Sequence, residues 1–181
     1  VAEKIFKMCG IPSIQDPKGC ACNIKINKIK KYKGKRKDRI KVLYIDEPIP
    51  TNDREQKARR ELISVINEIT KKKKKNVKLV VRPHPTVDAK HFANMNMSVR
   101  SSNIEVECDI CDADLVVGRQ STALLMSILS GKRTIIADPS ISSYFRHSKS
   151  FYNINKSIWI DNIFNYRKKI FEQIEALEKH F

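Results

Sequence analysis

Two short polar clusters in this chain carry residue types suited to gripping an anion. The first, Arg82-Pro83-His84-Pro85, follows the apolar run VKLVV at 77–81. Its prolines fix φ and remove two backbone donors, so the peptide around His84 is stiff and the imidazole is held in a defined direction at little entropic cost. Such a ring suits a hydrogen bond to a phosphate or a sugar hydroxyl, or proton donation to a leaving phosphate. A histidine in an ordinary surface turn is the plainer alternative. The second cluster, Gly118-Arg119-Gln120-Ser121-Thr122, follows DLVVG at 114–118. Gly118 lets the backbone turn sharply, and Ser121 or Thr122 opens a helix whose unpaired N–H groups and positive dipole end favour a phosphate. The two hydroxyls add hydrogen bonds to the same oxygens and Arg119 supplies charge. Simple capping by Ser121 is the alternative here. Neither GxxxxGK[ST] nor GxGxxG occurs in the chain.

Other chemistry-bearing residues have weaker settings. His91, His147 and His180 lack a stiff carrier. Asp112-x-Asp114 has the spacing of a metal-binding pair, but Asp114 opens a strand and so falls at the wrong edge of a sheet; no metal is expected. Cys20-x-Cys22 with Cys108-x-x-Cys111 would supply four thiolates for zinc, yet the first spacing is wrong for a knuckle, and free thiols are the expectation. Five cysteines and no secretory signal point to a reducing, cytoplasmic compartment.

The formal charge of +16 admits three readings: compositional bias, an acidic membrane surface, or nucleic acid. The lysines are scattered, dense only in KINKIKKYKGKRKDR and Lys71–Lys75, and no RNP-type, zinc-finger or helix-turn-helix pattern supports nucleic acid. No apolar run reaches the roughly 18 residues of a membrane span. Peripheral contact at the inner face of an anionic membrane stays among the expected partners.

The elements that must position these clusters follow from periodicity. Residues 1–38 read as the end of a preceding domain plus a basic linker, and 39–181 as the regular domain. Strands are expected at IKVLYI (40–45), VKLVV (77–81), NIEVE (103–107), DLVVG (114–118), RTIIAD (133–138) and SIWI (157–160). Between them run a helix capped by Asp53 and reaching about Lys72, a short helix in DAKHFANM, and STALLMSILS ending at Gly131; a helix capped by Asp161 closes the chain. Continuous apolar strands alternating with helices imply an α/β, Rossmann-like three-layer fold, a parallel sheet with helices on both faces. Ligands of such sheets bind beyond the carboxyl ends of the strands, where both clusters fall.

VVRPHP followed by DADLVVGRQSTALLMSILSGKRTIIAD resembles the C-terminal donor-binding domain of GT-B glycosyltransferases, in particular bacterial sialyltransferase and polysialyltransferase-like enzymes and capsule or teichoic-acid polymerases. KVLYIDEPIP is similar to the strand and turn that open that domain, and CGIPSIQDPKG to the last strand of the domain before it. The resemblance implies that His84-Pro85 is the HP motif and Ser121-Thr122 the S-T pair. It implies a nucleotide-sugar donor such as a CMP-sugar, Arg82, His84, Pro85, Gly118, Arg119, Gln120, Ser121 and Thr122 as its contacts, and a glycan acceptor held by an amino-terminal domain missing from this chain. No cofactor is implied. A CDP-glycerol-type glycerophosphotransferase, an epimerase-like domain, or a non-catalytic module that binds a protein or an anionic membrane are the alternatives. The chain departs from the pattern at Met126-Ser127, where relatives carry a glutamate that holds ribose hydroxyls. It also lacks an acidic D/E-D/E-G motif; Asp16 in QDPKG and Asp46-Glu47 are the nearest candidates for a general base, or else turn residues.

Overall fold

The computed structural model describes residues 38–93, 95, 97–100, 105–137, 157–160 and 162–180. Asp16, Cys9, Cys20, Cys22, His147 and Asp161 lie outside the described residues, as does the expected preceding domain and linker apart from its last residue.

Six parallel strands form one sheet in the order β3-β2-β1-β4-β5-β6. They are β1 (Ile40–Ile45), β2 (Val77–Arg82), β3 (Ser98–Val99), β4 (Leu115–Gly118), β5 (Thr134–Ile136) and β6 (Ser157–Trp159). The central strands are apolar through their middles because both faces are covered, and their charges sit at the ends, Lys41 and Lys78 at the amino edge and Arg82 at the carboxyl edge. Val42 and Tyr44 pack under α1 (Asp53–Lys72) and α4 (Tyr166–Glu178), while Leu43 and Ile45 pack under α2 (Val106–Asp112) and α3 (Thr122–Leu129). The fold is therefore the Rossmann-like α/β sheet, and its order reverses between β1 and β4.

Helix α1 buries Ala58, Leu62, Val65, Ile66 and Ile69 at helical spacing. Its cap is Asn52 rather than Asp53: the Asn52 side chain accepts from the Glu55 N–H at 2.8 Å, and Asp53 is the first helical residue. Asp53 and Glu55 at the start and Lys71 and Lys72 at the end complement the dipole. DAKHFANM contracts to a 3₁₀ turn, Ala89–Phe92, that plugs Phe92 into the core. The third strand is Ser98–Val99, and the expected strand at 103–107 gives way to α2 from Val106. Val106, Ile110 and Cys111 recur at helical spacing and pack on the α3 face, which outweighs the alternation of NIEVE. Helix α4 begins at Tyr166, after a 3₁₀ turn at Ile163–Asn165 whose Asn162 side chain accepts from the Phe164 N–H at 3.0 Å.

Candidate functional site

The carboxyl ends of β2, β1 and β4 lie side by side, with Arg82 and Gly118 both in register with Ile45. The two clusters thus leave one rim from strands that flank β1, about 10 Å apart at the backbone by two strand spacings. His84 is half-buried past β2. Its Nδ1 lies 2.8 Å from the Thr86 hydroxyl oxygen and accepts from the Thr86 backbone N–H at 3.3 Å. An N–H only donates, so Nδ1 is the acceptor nitrogen and the neutral ring carries its proton on Nε2. The imidazole is therefore held as an Nε2–H donor. No sequence signal marks Thr86, because its backbone N–H is one that any residue but proline supplies.

Gly118 is required by close approach: a Cβ there would sit 2.8 Å from the Ile45 carbonyl oxygen and 3.0 Å from Leu124. The chain then turns into α3, where the Ser121 oxygen accepts from the Ala123 N–H at 3.3 Å, so the capping role is present. The Ser121 hydroxyl still has a hydrogen to donate, and Thr122 is exposed at the first helical position. The first turn of α3 holds no acidic residue, whereas Asp53 and Glu55 occupy that of α1. Of the two helix ends that flank β1, α3 presents the one whose positive dipole is not already met by carboxylates. The Gln120 side chain is half-buried beside it.

Arg119 corrects the expectation drawn for it. Its guanidinium is 1% exposed and turned inward: Nη1 donates to the Glu55 carbonyl at 2.9 Å, Nη2 bonds the Glu55 carboxylate, and Nε lies 3.1 Å from Glu47. Its charge is consumed by two carboxylates and ties the end of β4 to the loop after β1. Arg82 likewise reaches back to the buried Asp109, at 2.8 Å, a carboxylate it shares with Arg100 at 3.0 Å. Asp46 and Glu47 are no more available as bases. Asp46 takes a two-pronged bond from Arg59, at 2.9 and 2.7 Å, and the Tyr44 hydroxyl at 2.9 Å. Asp112 bonds Lys41, and Asp114 accepts the Lys41 N–H at 2.8 Å, both at the amino edge away from the rim. Ser127 is buried against the Thr134 hydroxyl at 2.8 Å, turned into the core. Cys108 is exposed and Cys111 buried, and both are free thiols. His91 lines a separate hollow beside α1 with Ile49 and Phe92, and His180 lies at the far end of α4.

Burial first, and the Asp46 charge second, hold the Tyr44 phenol protonated well above its ordinary value of 10.0. The folded chain keeps a proton that the unfolded chain releases. The stability this neutral phenol contributes is whole below about pH 10 and is lost as pH rises further. Denaturant titrations of the native chain and of Tyr44→Phe should therefore diverge between about pH 9 and about pH 11, the native chain losing more.

No family model and no curated protein matches the chain. Solved structures do. A protein described as a UDP-N-acetylglucosamine 2-epimerase from Listeria monocytogenes superposes with a TM-score of 0.57 at 12% identity, over 99% of this chain and 44% of that one. The spinosyn rhamnosyltransferase SpnG, bound to spinosyn aglycone, superposes with a TM-score of 0.54 at 11% identity, over 78% of this chain and 38% of its own. These likenesses show a shared fold. The chain spans less than half the length of either structure.

Proposed function

We propose that this domain is the donor-binding half of a GT-B glycosyltransferase of surface-polysaccharide synthesis, sialyltransferase-like, that holds a nucleotide-activated sugar such as a CMP-sugar at the rim over β1. The supporting observation is the convergence of two loops at one sheet edge, an imidazole locked as an Nε2–H donor on one side and a helix N-terminus with two hydroxyls on the other. Breaking a glycosyl–phosphate bond builds negative charge on the departing nucleotide. His84 Nε2–H, the first N–H groups of α3, and the Ser121 and Thr122 hydroxyls are donors suited to that charge. Arg119, Glu47 and Glu55 serve as the frame that ties the head of α3 to the loop after β1. The acceptor and the remaining catalytic groups come from a second domain in this reading.

Titration of the chain with CMP, CDP and UDP by calorimetry tests it. His84→Ala should weaken the favoured nucleotide about 10–100-fold, the worth of one hydrogen bond to a charged group. Thr86→Val, which removes a hydroxyl but keeps the backbone N–H, should cost only a few-fold. Equal affinity for the native chain and His84→Ala would overturn the assignment.

A further inference from the structure

The side chain of Phe164 is 91% exposed, far more than any other large apolar group among the described residues. It stands at the 3₁₀ corner between β6 and α4, and the Asn162 side chain fixes its backbone, so the ring is held out in water by a formed turn. Nothing in the core accounts for it. The ring borders a hollow of about 670 Å³ between the start of α1 and the start of α4, also lined by Arg54, Lys57, Glu61, Val65, Asn162 and Arg167. Arg54 and Lys57 are exposed one helical turn apart on α1, while Arg167 and Lys168 follow Phe164 by three and four residues on α4. Three cations, Arg54, Lys57 and Arg167, thus line the hollow with the ring; among the described residues that line it Glu61 is the one carboxylate, and Arg167 also binds Glu68. Both corners lie at the carboxyl edge of the sheet, the same edge as the rim over β1.

We propose that this corner docks on an anionic lipid surface, Phe164 entering the boundary between headgroups and acyl chains while Arg54, Lys57 and Lys168 meet lipid phosphates. An aromatic ring ringed by cations combines the two attractions that reversible interfacial binding requires, apolar burial and charge, and neither alone suffices. The net charge of +16 draws the whole chain toward such a surface and the corner orients it. A soluble anionic polymer would satisfy the cations but would leave the protruding ring unexplained. The inference is independent of nucleotide binding, and the two fail separately: affinity for CMP, CDP and UDP measured on the same variants should not change.

The test is co-sedimentation of the chain with vesicles of equal parts phosphatidylglycerol and phosphatidylcholine, and with phosphatidylcholine alone. Binding is expected only to the anionic vesicles and should fall with added salt. Phe164→Ala should lower partitioning about fivefold or more, and the Arg54→Glu, Lys57→Glu pair by more than tenfold, since each cation at an anionic surface is worth about fivefold. Lys78→Glu, an exposed charge at the opposite edge of the sheet, should have much the smaller effect. All these positions are exposed, and thermal melts verify that each variant folds. Equal partitioning of Phe164→Ala and the native chain, equal loss in Lys78→Glu, or retention on soluble polyphosphate with none on vesicles would each overturn the proposal.

Discussion

Asp46→Ala is expected to destabilise the domain by about 3–5 kcal/mol, the cost of stranding one partner of a buried ion pair, with a fall in Tm of roughly 10 °C for a chain of this size. Asp46 is 2% exposed and receives two bonds from Arg59 and one from Tyr44. Burial opposes the charge on Arg59, but the Asp46 carboxylate more than offsets it, and the guanidinium stands above its ordinary pKa. Without that carboxylate the guanidinium is left in the interior, 7% exposed, beside an unanswered phenol. Replacing both members, as Asp46→Leu with Arg59→Met, removes the desolvation cost along with the attraction and should recover most of the loss. Chemical denaturation of the two single variants and the double variant measures the coupling. If the single losses simply add in the double variant, the pair does not act as a unit.

The contrast between Asp46 and its neighbours shows what was legible in the sequence. The strands at 40–45, 77–82 and 115–118 were plain because a strand covered on both faces is apolar through its middle, with charges such as Lys41 and Lys78 kept near its ends. Helix α1 was plain because Leu62, Ile63, Ile66 and Ile69 recur at helical spacing. Ser98–Val99 was not, since a two-residue edge strand with both side chains exposed leaves no pattern. NIEVE misled because alternation over five residues is shared by a strand and by the approach to a short helix. At the rim, the positions of His84 and of Ser121-Thr122 followed from strand ends alone. The roles of the charged residues did not: Arg119 meets Glu55 across 64 residues of chain, and no local spacing marks such a partner. An arginine beside a turn looked like a ligand contact, and packing turned it inward.

That inward turn leads to a sharper expectation for Arg119. Its fork bonds the Glu55 carbonyl and carboxylate and lies against Glu47, so Arg119→Met leaves two carboxylates at 3% and 13% exposure without their cation. A loss of about 3–5 kcal/mol is expected from those stranded charges. Arg119→Lys should rescue little, because one ammonium lacks the planar fork that spans three acceptors. The same substitution separates a framing role from a ligand contact. Arg119 as a frame fixes the loop after β1 against the start of α3, so Arg119→Met, assayed well below its melting temperature, should weaken nucleotide binding while the dependence of affinity on salt stays as in the native chain. Arg119 as a phosphate contact would do the reverse: stability would barely move and the salt dependence would shrink with the lost charge. With 1% of the side chain exposed, the first outcome is the expected one. On the proposed reading the rim then owes its geometry to an arginine that does not touch the ligand, and its chemistry to His84 and the uncharged donors at the head of α3.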